Sequence, residues 1–197
     1  MDAVLYVHGK GGSAKESEHF VALFGNCEVI GLDYKLVLPW EVKQEIFNKV
    51  KNLKTKYKNI ILIANSIGAY YCMNSGIDEY VQKAYFISPI VDMEKLICDM
   101  MTWLNVAEKE LEDKKIIHTE FGEDLSWDYL TYVRQNPIKW KTPTQILYGQ
   151  KDDLTDIKTI TNFAKTNNFE LTIMPDGEHW FHTQEQMKFL DNWIKNS

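Results

Sequence analysis

Short, almost wholly apolar runs separated by longer amphipathic stretches fix what this chain can become. The runs lie at 3–7 (AVLYV), 28–32 (EVIGL), 60–64 (IILIA), 83–88 (KAYFIS), 144–148 (TQILY) and 170–174 (ELTIM). Each has the length of a strand, and most lack polar alternation. A strand that is apolar on both faces must be covered on both faces, which is the condition of a parallel sheet held between helix layers. The intervening stretches supply those helices, at 15–25, 39–57, 67–76, 155–167 and 183–196. In the second of these, Val42, Ile46, Phe47, Val50 and Leu53 recur near helical spacing with lysines between them. Its basic tail (Lys49, Lys51, Lys54, Lys56, Lys58) reads as a solvated face rather than an anion site. The predicted class is α/β: an open, mostly parallel six-stranded sheet with helices on both faces and right-handed crossovers.

One stretch breaks the rhythm. Residues 91–141, between the fourth and fifth runs, are too long for a plain crossover and carry two or three helical patterns. They hold Trp103, Trp127, Tyr129, Tyr132 and Trp140, and read as a helical, lid-like insertion lying over one edge of the sheet. No internal repeat, low-complexity tract or Pro/Gly linker marks a boundary, so 1–197 is expected to be a single domain. About 70% of the unfolded surface disappears on folding at this size, so no metal or disulfide is needed to support the core.

Composition narrows the function classes. Hydrophobic residues at 45% and charged residues at 25% exclude a disordered chain, a collagen-like repeat and a coiled coil. A formal charge of -6 suggests no nucleic-acid partner. Arg134 is the only arginine, which argues against a site built on bidentate phosphate recognition. Cys27, Cys72 and Cys98 are odd in number and show no C-x-x-C spacing, as expected of reduced thiols in a cytoplasmic chain. The opening MDAVLYVHG lacks the basic n-region of a signal peptide, and no apolar run approaches the roughly 18–20 residues that span a bilayer. No membrane partner is expected.

In an open α/β sheet, ligands bind outside the carboxyl ends of the strands, so the residues just after each run carry the chemistry. They are His8-Gly9-Lys10-Gly11-Gly12-Ser13 after the first, Asn65-Ser66-Ile67-Gly68 after the third, Gly149-Gln150-Lys151-Asp152-Asp153 after the fifth, and Asp176-Gly177-Glu178-His179 after the sixth. Four loops at one edge thus supply a hydroxyl, a carboxylate, an imidazole and a glycine-rich backbone. A serine on a sharp strand-to-helix turn has its Oγ exposed, and small neighbours let strand and helix approach. Alone, the S-x-G of residues 66–68 would be a plain helix N-cap. A serine hydroxyl is a poor nucleophile until an adjacent base accepts its proton, and histidine, ordinarily titrating near pH 6.5, suits that task. His179 is the candidate, with His182 as competitor. His19 and His118 do not follow a strand and read as surface residues. A carboxylate orients such an imidazole and fixes its tautomer. Asp152 is the candidate, with Asp153 beside it and Asp92, also after a strand, as alternatives.

Taken in order, HGKGGS (8–13), ANSIG (64–68), YGQKDD (148–153) and DGEHWF (176–181) resemble the motifs of the α/β-hydrolase superfamily, particularly its small single-domain serine hydrolases and esterases. Each motif is weak singly, and the first position of G-x-S-x-G is here Ala64. The resemblance spans nearly the whole chain. It implies Ser66 as nucleophile, His179 as base and then acid, Asp152 as its orienter, and an oxyanion hole from the backbone N–H groups of Ile67 and Lys10, with Gly11 as substitute for Lys10. It implies a small-molecule acyl substrate (a carboxylic ester, then thioesters and small amides), no cofactor and no metal. It also implies a strand order 2-1-3-4-5-6, without the two leading antiparallel strands of larger members. The aromatics of 91–141 would either wall an acyl pocket or fill core. G-x-x-x-x-G-K-[ST], G-x-G-x-x-G and H-E-x-x-H are all absent, which disfavours nucleotide and metal sites. The competing readings are a non-catalytic binding module on the same fold and an acyltransferase using the same triad.

Overall fold

A computed structural model describes residues 1–34, 38–120 and 122–197. The described chain divides into two compact units, Met1–Val91 with Lys139–Ser197, and Asp92–Ile138. The first contains all six strands expected from the apolar runs: β1 (Asp2–Val7), β2 (Cys27–Leu32), β3 (Ile60–Asn65), β4 (Lys83–Ile87), and two later strands, Thr144–Gly149 and Glu170–Met174. Every pairing between them is parallel, and the strands lie in the order β2-β1-β3-β4 followed by Thr144–Gly149 and Glu170–Met174, which is the expected order 2-1-3-4-5-6 of the six runs.

The unbroken apolar runs have their expected cause. Val4 and Tyr6 of β1, Ile63 of β3 and Tyr85 and Ile87 of β4 bury one face of the sheet in a cluster with Leu190, Trp193 and Ile194 of the C-terminal helix (Gln184–Lys195). Residues of opposite parity such as Leu5, Leu62 and Phe86 are fully buried too. On that side α1 (Pro39–Lys54) and α2 (Ile67–Met73) pack against β1 and β3. Val42, Ile46, Val50 and Leu53 form the buried stripe of α1, while Lys51 and Lys54 are exposed and Lys43 and Lys49 half-buried.

The expected helix over 15–25 is a correction. The structure has a 3-10 coil over Ala14–Phe20, followed by turns to Asn26. The crossover between β1 and β2 must also hold the glycine-rich loop, which leaves room for one tight coil. A capping box between Ser13 and Glu16 opens it.

The second unit is the helical insertion after β4. It comprises α3 (Met93–Trp103), α4 (Glu108–Lys114), a two-residue antiparallel pair β5 (Ile116–Ile117) and β6 (Leu125–Ser126), and α5 (Trp127–Gln135). The paired strands were not foreseen, because two residues are too few to show a period. Leu111, Leu125 and Leu130 are its most buried side chains. Arg134 on α5 donates from Nε to Glu94 at 2.7 Å and from Nη1 and Nη2 to Glu108 at 2.6 and 2.9 Å, joining three helices. The main unit resumes with β7 (Thr144–Gly149), α6 (Ile157–Asn167), β8 (Glu170–Met174) and α7 (Gln184–Lys195). Among the described residues, no helix is long and apolar enough to cross a membrane.

Candidate active site

Ser66 stands between β3 and α2 with φ 50° and ψ −122°, a conformation that side chains with a Cβ rarely adopt. Its backbone is tied on both sides: its N–H donates to the Ile87 carbonyl at 3.0 Å, and its carbonyl accepts from Ala69 and Ile90 at 3.1 and 3.2 Å. Gly68 is what allows the turn. A Cβ there would lie 2.3 Å from the His8 carbonyl oxygen, so α2 can approach β1 only without a side chain. The result places the Ser66 hydroxyl 2.8 Å from His179 Nε2.

The imidazole is held from behind by Asp152, whose Oδ2 lies 2.7 Å from His179 Nδ1. A carboxylate only accepts, so Nδ1 carries the proton and Nε2 is left to accept from the serine. Asp152 is itself fixed: its Oδ1 accepts from the Leu154 and Thr155 N–H groups at 2.9 and 3.0 Å, and its side chain is 0% exposed. The loops carrying Asp152 and His179 meet along their backbones. Gln150 N–H donates to Met174 at 3.0 Å and Lys151 N–H to Gly177 at 2.7 Å. A Cβ at Gly149 would lie 2.3 Å from the Glu178 carbonyl oxygen, which makes glycine obligatory where the loops touch.

The alternative groups lie in other surroundings. Asp153 is exposed, and Asp92 caps α3 by accepting from Lys95 N–H at 2.9 Å. His182 donates from Nδ1 to the Trp180 carbonyl at 2.7 Å and stacks on the Trp180 ring. His19 lies 2.7 Å from Asp191, and His118 lies 2.8 Å from Asp124. His8, in the first glycine-rich motif, is buried and stacked on Tyr34 with ring centroids 4.3 Å apart. That stack and the Tyr34 hydroxyl, which donates to the His8 carbonyl at 2.8 Å, brace the start of the loop.

Ser66 and His179 open onto a cleft of about 420 Å³ walled by the 9–12 loop, Glu16, Asn65, Leu154 and Trp180. Lys10 and Gly11 line the same cleft as the serine, and Ile67 follows it as the first residue of α2. Trp140 lies elsewhere. It is 3% exposed, packs on Phe86 and donates to Thr144 Oγ1 at the opposite end of β7 from Gly149. Trp103, Trp127, Tyr129 and Tyr132 belong to the Asp92–Ile138 unit, where Trp103 is exposed and Trp127 lies under the Lys115 ammonium. Trp180, exposed yet lining the cleft, was not singled out from the sequence, although it directly follows His179 in DGEHWF. Among the described residues, no group of three or more His, Cys, Asp or Glu side chains could hold a metal ion.

A model of the uncharacterised protein family UPF0227 matches residues 3–191. The chain belongs to that family. Curated proteins give no match to this UPF0227 sequence. Solved structures give many. Alpha/beta hydrolase domain-containing protein 10 from mouse is 12% identical with a TM-score of 0.79, the match covering 98% of this chain and 88% of that one. Est1E from Butyrivibrio proteoclasticus is 16% identical with a TM-score of 0.75, covering 99% and 85%. A lipase-esterase related protein from Clostridium acetobutylicum is 19% identical with a TM-score of 0.65, covering 99% and 93%. At such identities the likeness is one of fold, and the fold is that of the α/β-hydrolases.

Proposed function

We propose that this UPF0227 chain is a serine hydrolase that cleaves a carboxylic ester through an acyl-enzyme on Ser66. The observation that carries the reading is the unbroken hydrogen-bond chain from the Ser66 hydroxyl through His179 to the buried Asp152, at 2.8 and 2.7 Å. Similarity of fold to proteins titled esterase and hydrolase agrees with it.

The chemistry follows from the proton positions. Ser66 Oγ adds to the substrate carbonyl carbon while its proton passes to His179 Nε2. The Asp152 carboxylate stabilises the imidazolium that forms and holds the ring in its tautomer. The carbonyl oxygen becomes an oxyanion in the tetrahedral intermediate. Backbone N–H groups of Ile67 and Lys10 receive it in this reading, with Gly11 as substitute for Lys10, and one such donor is commonly worth about 10²–10³ in kcat. Collapse breaks the bond to the alkoxide, which takes the proton from His179. Water then gives a proton to Nε2, adds to the acyl carbonyl, and releases the acid with Ser66 restored. Thioesters and small amides fit the same steps. No step calls on a cofactor.

Labelling by a fluorophosphonate tests the reading. Intact protein is expected to become modified at Ser66, with no labelling in Ser66→Ala. Absence of label on the intact protein would remove the nucleophile and with it the proposal.

A further inference from the structure

A second cavity, of about 150 Å³, adjoins the cleft and shares Glu16, Asn65 and Trp180 with it. Its other walls are the apolar Phe20, Ile87, Phe181, Met187 and Leu190, together with Tyr6 and with His19, whose Nε2 lies 2.7 Å from Asp191 Oδ1. Ile87 is the residue whose carbonyl receives the Ser66 N–H, and Asn65 immediately precedes Ser66, so this cavity is walled by residues that tie and flank the serine, while Ser66 itself lines the larger cleft. His179 lines the larger cleft and not this one.

That division assigns the two arms of an ester. The leaving oxygen must take its proton from His179, so the leaving group lies in the compartment that His179 lines, and the attacking water later arrives there. The acyl group stays bonded to Ser66 through both steps and needs a place that obstructs neither departure nor water. We infer that the smaller cavity is the acyl subsite of this centre, taking a compact uncharged acyl group. The inference rests on the hydrolase reading above. An apolar cavity of about 150 Å³ holds a benzene-sized guest, which limits the group to about six carbons, a short or branched chain or a single ring.

Charge at the junction narrows the class further. The Glu16 carboxylate accepts from the Tyr6 hydroxyl and, at 3.0 Å, from Ser13 N–H, and the Asn65 amide donates to Tyr6 at 3.3 Å. Tyr6 is 1% exposed, so this bracing is anchored in the core. An anionic acyl group entering past Asn65 would meet the like charge of Glu16, while His19 on the cavity wall is already held by the Asp191 carboxylate, and this disfavours it.

The test is a matrix of esters on the intact chain: p-nitrophenyl acyl esters from acetyl to decanoyl, and acetyl esters of alcohols of the same lengths. Activity with the acyl series is expected to peak at or below about six carbons and then fall. Met187 is half-buried on the cavity wall, so its replacement perturbs the core less than a change at Leu190. Met187→Ala should raise the hexanoyl-to-acetyl ratio of kcat/KM about 10-fold and Met187→Phe should lower it comparably, with little change in the alcohol series. A butyryl ester should exceed the hemisuccinyl ester of the same alcohol by about 10-fold or more, and Glu16→Gln should narrow that gap. Fluorophosphonate labelling without any acyl-length response to either Met187 variant, or a response confined to the alcohol series, overturns the subsite while leaving the hydrolase intact. Failure of Ser66 to label overturns both. An unchanged butyryl-to-hemisuccinyl ratio in Glu16→Gln overturns the role of its charge.

Discussion

Asp152 in the main unit and Arg134 in the insertion each make three hydrogen bonds of nearly the same lengths. Those of Asp152 run at 2.7, 2.9 and 3.0 Å, and those of Arg134 at 2.6, 2.7 and 2.9 Å. Burial separates them, for the Asp152 side chain is 0% exposed and that of Arg134 is 35% exposed. Water can replace any lost partner of Arg134, and salt screens what remains. Nothing replaces a lost partner of Asp152, so removing one leaves a buried group unpaired. Bond length therefore says little about the worth of a polar contact until its surroundings are known.

Substitutions can break that contrast or sharpen it. Ser66→Ala should abolish ester turnover while leaving the thermal midpoint nearly unchanged, since it removes a hydroxyl and relieves nothing in the core. Retained turnover in an active-site titration would contradict the assignment. Asp152→Asn should lower kcat by about 10⁴ by favouring the wrong imidazole tautomer, while circular dichroism stays native. Full activity in Asp152→Asn together with loss in Asp92→Asn would transfer the orienting role to Asp92. Gly149→Ala forces the Asp152 and His179 loops apart, and a displacement of about 1 Å can cost about 10²-fold in kcat/KM. Its thermal midpoint should also fall, unlike that of Ser66→Ala. Arg134→Gln should leave turnover unchanged and shift the midpoint by no more than about 2 °C, an effect that 1 M salt removes.

The acid limb of stability sharpens the same point. The Arg134 guanidinium holds the Glu108 carboxyl below its ordinary range, through hydrogen bonding first and charge second. A group lowered in the folded state contributes fully above its unfolded pKa, and the contribution disappears as pH falls through the lowered value. The midpoint difference between wild type and Arg134→Gln should therefore shrink toward acid pH. A difference that grew instead would show that Arg134 acts by something other than its carboxylate partners.

The sheet was legible because its strands are buried on both faces, which leaves apolar runs such as IILIA with no period to misread. The convergence at the candidate site was legible for a related reason: once strand order is fixed, Ser66, Asp152 and His179 fall at carboxyl ends that must share one edge. What escaped depended on contacts that no local pattern encodes. Tyr6 sits inside an apolar run and reads as core, yet its hydroxyl reaches Glu16 in the coil that replaced an expected helix. Trp140 sits in the aromatic-rich stretch and reads with it, yet it packs on Phe86 in the main unit. Trp180 gives no signal of its own, since an exposed tryptophan acquires meaning only from the cavity beside it.

Gly149 and Gly177 face one another so closely that a Cβ on Gly177 would come within 3.0 Å of the Gly149 Cα. Two bare stretches of main chain act there as a seat machined to one clearance, and the reach of the imidazole is set by that seat. In a mutational scan scored on ester hydrolysis, these positions should prove as intolerant as Ser66 itself, although neither lines the cleft.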